Sequence, residues 1–179
     1  MERERTVSSE RIYDGRIVKL RVDTVELAGG RTSTREIIEH RGAVVIAALD
    51  GEGNVLLVQQ FRKPVEQELL ELPAGTLDPG EDPESCAWRE LQEETGFRAE
   101  KLEKLGGFYS APGFCTEFLH LFLATGLQPS PMDADDDEDI RVVPTQLSVV
   151  PSLITAGEIR DAKSVAGLLW VLRERFPGL

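Results

Sequence analysis

Residues 75–97 read Gly75-Thr76-Leu77-Asp78-Pro79-Gly80-Glu81 followed by Asp82-Pro83-Glu84-Ser85-Cys86-Ala87-Trp88-Arg89-Glu90-Leu91-Gln92-Glu93-Glu94-Thr95-Gly96-Phe97. Asp82 is a capping residue, Pro83 suits the first helical position, and Gly96 is a C-terminal stop, so a helix is expected between them. Glu90, Glu93 and Glu94 stand at i, i+3 and i+4, which puts three carboxylates on one face. Ala87, Leu91 and Thr95 form a neighbouring, less polar stripe that can pack on a sheet. Arg89 is placed to pair with Glu93 at i+4. Like charges on one helix face repel by roughly 0.2–0.5 kcal/mol per exposed pair. A divalent cation turns that repulsion into coordination, and an oxygen-only donor set suits Mg²⁺ or Mn²⁺.

Outward from this segment the chain alternates between strands and turns. Upstream, Ala43–Leu49 is a continuous apolar run suited to a strand buried on both faces. Asp50-Gly51-Glu52-Gly53-Asn54 is a turn, and Val55–Phe61 returns as the second arm of a hairpin. A short strand over Leu69–Leu72 ends at Pro73. The first 42 residues are extended: Val18, Leu20 and Val22 alternate with polar residues, Gly29-Gly30 turns, and Thr32–Glu39 resumes. These strands are too few to fold alone. Downstream, strands are expected near Lys101–Ser110, Phe118–Ala124 and Ile140–Val143. A helix is expected near Ser148–Ala156 and another over Ala162–Arg175, with Val165, Leu168, Leu169 and Leu172 on its apolar face.

The bulk of the chain excludes several functions. Lys and Arg number 20 against 32 Asp and Glu, a net charge of −12, which opposes non-specific binding of nucleic acid. No apolar run reaches the ~20 residues needed to span a bilayer. The charged start Met1-Glu2-Arg3-Glu4-Arg5 does not read as a signal peptide, so a cytoplasmic protein is expected. Two cysteines (Cys86, Cys115) and two histidines (His40, His120) form no zinc-type spacing. A phosphate substrate can enter so acidic a chain only beside bound cations or locally placed arginines.

Glu-rich helix faces are ordinarily solvated surface, but the full spacing of 75–97 agrees with a known pattern at a chance level on the order of one in a billion per window. It resembles the Nudix box, matched at every defining position. The resemblance implies an α+β fold, an α/β/α sandwich around a mixed sheet, here preceded by N-terminal antiparallel strands. It implies a hydrolase domain over 43–179 and an N-terminal β segment over 1–42 that packs on, or swaps with, a partner in a homodimer. It implies metal ligation by Glu90, Glu93 and Glu94, helped by a backbone carbonyl near Ala74, while Glu81 and Arg89 brace loop and helix through a salt bridge. The activity implied is hydrolysis of a nucleoside diphosphate linked to another group.

The resemblance narrows beyond the box. Pro112 follows Gly96 by 16 residues, as in the ADP-ribose pyrophosphatase subgroup. Gln59-Gln60-Phe61-Arg62-Lys63-Pro64, Glu71-Leu72-Pro73-Ala74-Gly75, Glu138-Asp139-Ile140-Arg141 and Asp161-Ala162-Lys163 are similar to that subgroup too. The similarity implies ADP-ribose as substrate, with AMP and ribose 5-phosphate as products. GDP-mannose, another nucleotide sugar or a dinucleotide is the alternative within the chemistry; a domain that binds ADP-ribose without cutting it is disfavoured by the three intact box glutamates. Expected substrate contacts are Arg35, Glu36, Arg62, Pro112 and Gly113. The acidic run Asp133–Asp139 supplies candidates for water activation, Asp136 and Glu138, with Glu138 also a candidate metal ligand and Glu93 an alternative base. Where relatives often carry Glu-x-Glu-Asp, this chain has Asp136-Asp137-Glu138-Asp139.

Overall fold

The computed structural model describes residues 3–130 and 139–175. The chain divides into two compact units. One joins residues 1–42 with Tyr109–Phe118; the other comprises Ala43–Phe108 and the chain from Leu119 onward.

The first unit is an antiparallel sheet of β1 (Arg5–Asp14), β2 (Lys19–Glu26) and β3 (Thr32–Glu39), in the order β1-β2-β3. Gly29 and Gly30 turn the β2–β3 hairpin at positive φ, which favours glycine. The alternation expected in β2 holds, but its better-buried face is the other one. Asp23 and Val25 are each 4% exposed, whereas Leu20 and Val22 are half-buried. Asp23 tolerates that position because Arg21 stands 3.3 Å away. The Pro112 loop belongs to this unit: the Ile38 N–H donates to the Phe114 carbonyl, and the Ile38 carbonyl accepts from the Thr116 N–H.

The second unit is built on a mixed sheet. Its strands are β4 (Ala43–Leu49), β5 (Asn54–Arg62), β6 (Gln67–Glu71), β7 (Ala74–Thr76), β9 (Lys101–Tyr109), β10 (Phe118–Thr125) and β12 (Ile140–Gln146); β8 (Phe97–Arg98) and β11 (Gln128–Pro129) form a separate small pair. The main order is β12-β5-β4-β10-β9, with β4 and β10 parallel and β4 and β5 antiparallel. Among the described residues its α-helices are α1 (Pro83–Thr95), between β7 and β8, and α2 (Val150–Ala156) and α3 (Ala162–Arg175), after β12.

Alternation along β4 explains the layers. Val44, Ile46 and Ala48 pack with Cys86, Ala87 and Leu91 of α1. Ala43, Val45 and Ala47 pack on the other side with Val150 of α2 and Leu168, Val171 and Leu172 of α3. The apolar run is therefore a central strand between helices on both faces, as its composition implied. Truncating a fully buried residue such as Leu91 or Leu168 to alanine carries the usual cost of about 2–5 kcal/mol.

The C-terminal helix packs by Leu168 and Leu172 as expected, with Val165 against the same core, but the buried stripe turns away from Leu169. Ser164, Gly167, Leu168, Val171 and Leu172 are its buried residues, while Leu169 is 49% exposed. Gly167 lets this face pack: a β-carbon there would lie 2.8 Å from Leu72 and 3.1 Å from Leu121, so a side chain at this position does not fit. Near residue 148 the chain forms a short 3-10 turn, Leu147–Val149, before α2. No helix among the described residues is long and apolar enough to cross a membrane.

Candidate active site

The hairpin β4–β5 is joined near its turn, where Ala48 pairs Leu56 and Leu49 pairs Val55. Away from the turn the two strands part, and other strands fill the gap. β6 pairs the far half of β5, from Val58 with Glu71 to Arg62 with Gln67. β7 pairs the start of β4, with Val44 opposite Gly75. The link between β6 and β7, Leu72-Pro73, therefore sits within the sheet, and the Pro73 carbonyl accepts from the Ile46 N–H at 2.9 Å. The strand character of Ala74–Thr76 was not apparent from sequence, because three residues at the head of a glycine loop carry no period.

This placement brings the loop against α1. The helix begins where expected: the Asp82 carboxylate accepts from the Glu84 and Ser85 N–H groups at 3.3 and 2.9 Å, and Gly96 ends it at φ 72°. Glu94 is buried, and its carboxylate accepts the Ala74 N–H at 3.0 Å. A β-carbon on Gly75 would lie 1.8 Å from the Glu90 carboxyl carbon. Two of the three box carboxylates thus rest on the Ala74-Gly75 backbone, and only glycine leaves Glu90 that room.

Arg89 organises the rest. Its guanidinium donates to both Glu81 oxygens at 3.1 and 3.0 Å, to Glu90 at 2.7 Å and to Glu93 at 2.9 Å. The Glu81–Arg89 brace is thus present, and so is the i, i+4 pair. Hydrogen bonds from Arg89 hold the Glu81 carboxyl at about 2, well below its ordinary 4.5. Cys86, beside this cluster, is fully buried. Burial, with Glu90 and Glu81 close by, pushes its thiol up to about 12, so it packs rather than reacts.

Glu71 was a named member of a motif with no role assigned. It is 2% exposed and accepts both arms of the Arg62 fork at 3.0 and 2.8 Å, and it also accepts from Lys163. Burial alone would push its carboxyl up, but hydrogen bonds and charge from Arg62 and Lys163 hold it below the ordinary range. Arg62 thus meets a carboxylate of its own chain. Two segments that looked separate, Glu71-Leu72-Pro73 and Asp161-Ala162-Lys163, meet here. The family resemblance named them, but only the fold joins residues 92 apart.

The other expected residues fall in the first unit. Arg35 pairs with Glu4, and Glu36, Pro112 and Gly113 are exposed. Asp136 and Glu138 lie outside the described residues. The segment before them is tied to α1: the Ser130 N–H donates to the Gly96 carbonyl at 2.8 Å, and its hydroxyl accepts from the Gln92 side chain at 3.0 Å.

The donor set around Ala74-Gly75 is oxygen only, as a hard divalent cation requires, and two carboxylates already meet the loop backbone. Among the described residues, Glu90, Glu93 and Glu94 do not by themselves close into a ready cage; Arg89 occupies two of them. Carboxylates gathered at one backbone turn fit a cation that keeps part of its shell for water and phosphate.

The chain is similar to known proteins over most of its length. Residues 39–166 match the NUDIX domain, and residues 4–38 match the nucleoside diphosphate sugar hydrolase N-terminal domain. An ADP-ribose pyrophosphatase of Bacillus subtilis is 42% identical over 170 residues, 94% of this chain and 92% of that protein. One from Mycobacterium tuberculosis is 40% identical, over 93% of this chain and 82% of that protein. A methanol dehydrogenase activator of Bacillus methanolicus is 42% identical over 94% of this chain and 92% of that protein. The crystal structure of an ADP compounds hydrolase shares the fold with a TM-score of 0.87 at 23% identity, covering 99% of this chain and 96% of that one. With its box helix braced against a glycine loop and its family match spanning most of its length, this chain belongs to the NUDIX domain family of hydrolases.

Proposed function

We propose that the protein hydrolyses the pyrophosphate of ADP-ribose, giving AMP and ribose 5-phosphate, with Mg²⁺ as the working cation and Mn²⁺ as a substitute. The observation that carries this reading is the packing of Glu90 and Glu94 on the Ala74-Gly75 backbone, in a chain 42% identical over nearly its whole length to an ADP-ribose pyrophosphatase. Glu90, Glu93, Glu94 and the Ala74 carbonyl would hold the cation. When bound it neutralises pyrophosphate oxygens and acidifies the attacking water.

The chain's own residues do the rest. Arg89 keeps Glu90 and Glu93 directed while Glu81 anchors Arg89. Glu94 fixes the loop through the Ala74 N–H. Arg62, Arg35, Glu36, Pro112 and Gly113 are the proposed substrate contacts; guanidinium groups suit phosphate oxygens, and without substrate the two forks meet Glu71 and Glu4. Glu138 or Asp136 takes the proton from water, with Glu93 as the alternative base.

The division of labour follows the sequence: 43–179 as the hydrolase domain and 1–42 as a dimerising segment. All ten residues of β1 are exposed, Val7, Ile12 and Tyr13 among them, and a partner subunit is the simplest cover for such apolar surface. Light scattering at working concentration tests the homodimer; a monomeric mass with full activity contradicts it. The substrate is tested by incubating ADP-ribose, GDP-mannose and dinucleotides with the protein and Mg²⁺ and comparing kcat/KM. ADP-ribose is expected to lead, and a higher kcat/KM for GDP-mannose overturns the assignment.

A further inference from the structure

We propose that the first turn of α3 is a positioning device for the cation-holding loop, with Lys163 and Ser164 as its working residues. The inference rests on the reading of Glu90, Glu94 and the Ala74 carbonyl as ligands. It concerns how the loop's backbone is aimed rather than what it binds.

From Glu71 to Gly75 every link is held from outside. The Glu71 side chain accepts from Lys163. The Leu72 N–H donates to the Ser164 hydroxyl at 2.7 Å, and both residues are fully buried. Pro73 contributes no N–H and has a fixed φ, and its carbonyl is taken by Ile46. The Ala74 N–H is taken by Glu94 at 3.0 Å. Two helices therefore grip consecutive N–H donors of one short segment, α3 at Leu72 and α1 at Ala74. The rigid proline between them transmits the orientation of one peptide to the next.

Asp161 keeps the α3 turn in shape. The same carboxylate oxygen accepts the Lys163 ammonium at 3.0 Å and the Ser164 N–H at 3.1 Å. Gly167, one turn on, allows the helix to approach Leu72 closely.

Charge balance alone does not call for Lys163. The bidentate Arg62 fork already gives Glu71 a full positive partner. The second cation is the better sheltered one, its side chain 17% exposed against 37% for Arg62. What Lys163 adds is a tether from α3 to Glu71 at the end of β6, three residues before the carbonyl assigned to the cation. Groups that orient ligands from behind typically govern affinity by about 10–100-fold.

The test uses the full chain and Mn²⁺ alone as probe, with binding measured calorimetrically without substrate and Tm recorded in parallel. Lys163→Met and Ser164→Ala are each expected to weaken Mn²⁺ binding about 10–100-fold, and Lys163→Arg to recover most of it. A purely structural role would lower Tm and leave the Mn²⁺ affinity of the folded protein unchanged; that result in either variant overturns the proposal. Should Lys163→Met fail to fold, Ser164→Ala decides, because it deletes one oxygen and introduces the best helix former. Glu90→Gln separates the two levels: if it binds Mn²⁺ as the wild type does, the ligand reading itself has failed, whatever the α3 variants show.

Discussion

Arginine–carboxylate pairs occur in both the box and the N-terminal sheet, but they do different work. In the box, Arg89 is about one-third exposed and touches three carboxylates that are 12–23% exposed. In the sheet, Arg5 reaches Glu26 with 71% and 36% of their side chains in solvent, and Arg35 reaches Glu4 at 39% and 44%. The chemistry is the same and the surroundings are not. Water and salt screen the second kind, and its worth is small. The first kind lies where solvent is reduced, and two of its carboxylates also meet backbone, Glu81 at the Asp78 N–H and Glu90 at Gly75. The comparison teaches that pairs sheltered from solvent carry position, as those of Arg89 do and as Arg21 does beside the buried Asp23, whereas the exposed pairs of Arg5 and Arg35 carry little beyond solubility.

The largest effect should come from the box itself. Glu94→Gln keeps the volume and leaves an amide carbonyl able to accept from Ala74, while removing the charge. A bound cation supplies several kcal/mol of transition-state stabilisation, so kcat is expected to fall on the order of 10³-fold with the circular dichroism spectrum unchanged. Full Mg²⁺-dependent activity in this variant would remove Glu94 from the site and leave the box no more than a braced helix.

Next come the acidic-run residues. Glu138→Gln and Asp136→Asn are each expected to lower kcat more than they raise KM, by ~10²–10⁴, the usual scale for losing a general base. If both variants and the double mutant turn over ADP-ribose at wild-type kcat, the base is elsewhere, with Glu93 the next to test.

How much of this could be read before folding follows from where the information sits. The α1 boundaries, the Arg89–Glu93 pair and the two-faced strand Ala43–Leu49 are local patterns: a cap, a period, an apolar run. They needed no tertiary context. The packing face of α3 was legible at Val165, Leu168 and Leu172 but not at its edge, because Leu169 is as apolar as its neighbours and yet is exposed. The choice was made by Gly167, which needs Leu72 and Leu121 close by to have meaning. The buried Glu71 was invisible for a similar reason. A glutamate beside leucine reads as surface until Arg62 and Lys163 arrive from distant parts of the chain. In β2 the buried face carries Asp23, an inversion that hydrophobic alternation cannot anticipate.

A smaller effect should appear in the pH dependence of stability. The Glu81 carboxyl sits at about 2 in the folded chain against an ordinary 4.5. A lowered folded value means that the stabilisation is fully present above the unfolded value and is lost as pH falls from about 5 towards 2. The advantage of wild type over Glu81→Gln in urea unfolding, measured with chelator present, should be roughly 1–2 kcal/mol above pH 5 after allowing for solvent screening. It should shrink towards zero near pH 2. An advantage constant across that range would show that the Glu81–Arg89 contact does not hold the proton off.

The smallest expected effect sharpens the comparison from the other side. Arg5→Gln removes the Arg5–Glu26 contact between β1 and β2. That pair loses side-chain freedom when it forms, gains little Coulomb energy in water and is screened within about 8 Å at physiological salt. The main-chain ladder from Arg5–Glu26 to Asp14–Lys19 remains intact, since glutamine donates and accepts through the same backbone. The variant should therefore melt within about 2 °C of wild type and keep its kcat/KM within about twofold. Raising the salt should erase even that difference, whereas the contacts of Arg89 should persist, being better shielded from solvent. A fall in Tm of more than about 5 °C would mean that the exposed pairs carry the sheet much as the sheltered ones carry the box, and the contrast between the two units would rest on burial in name only.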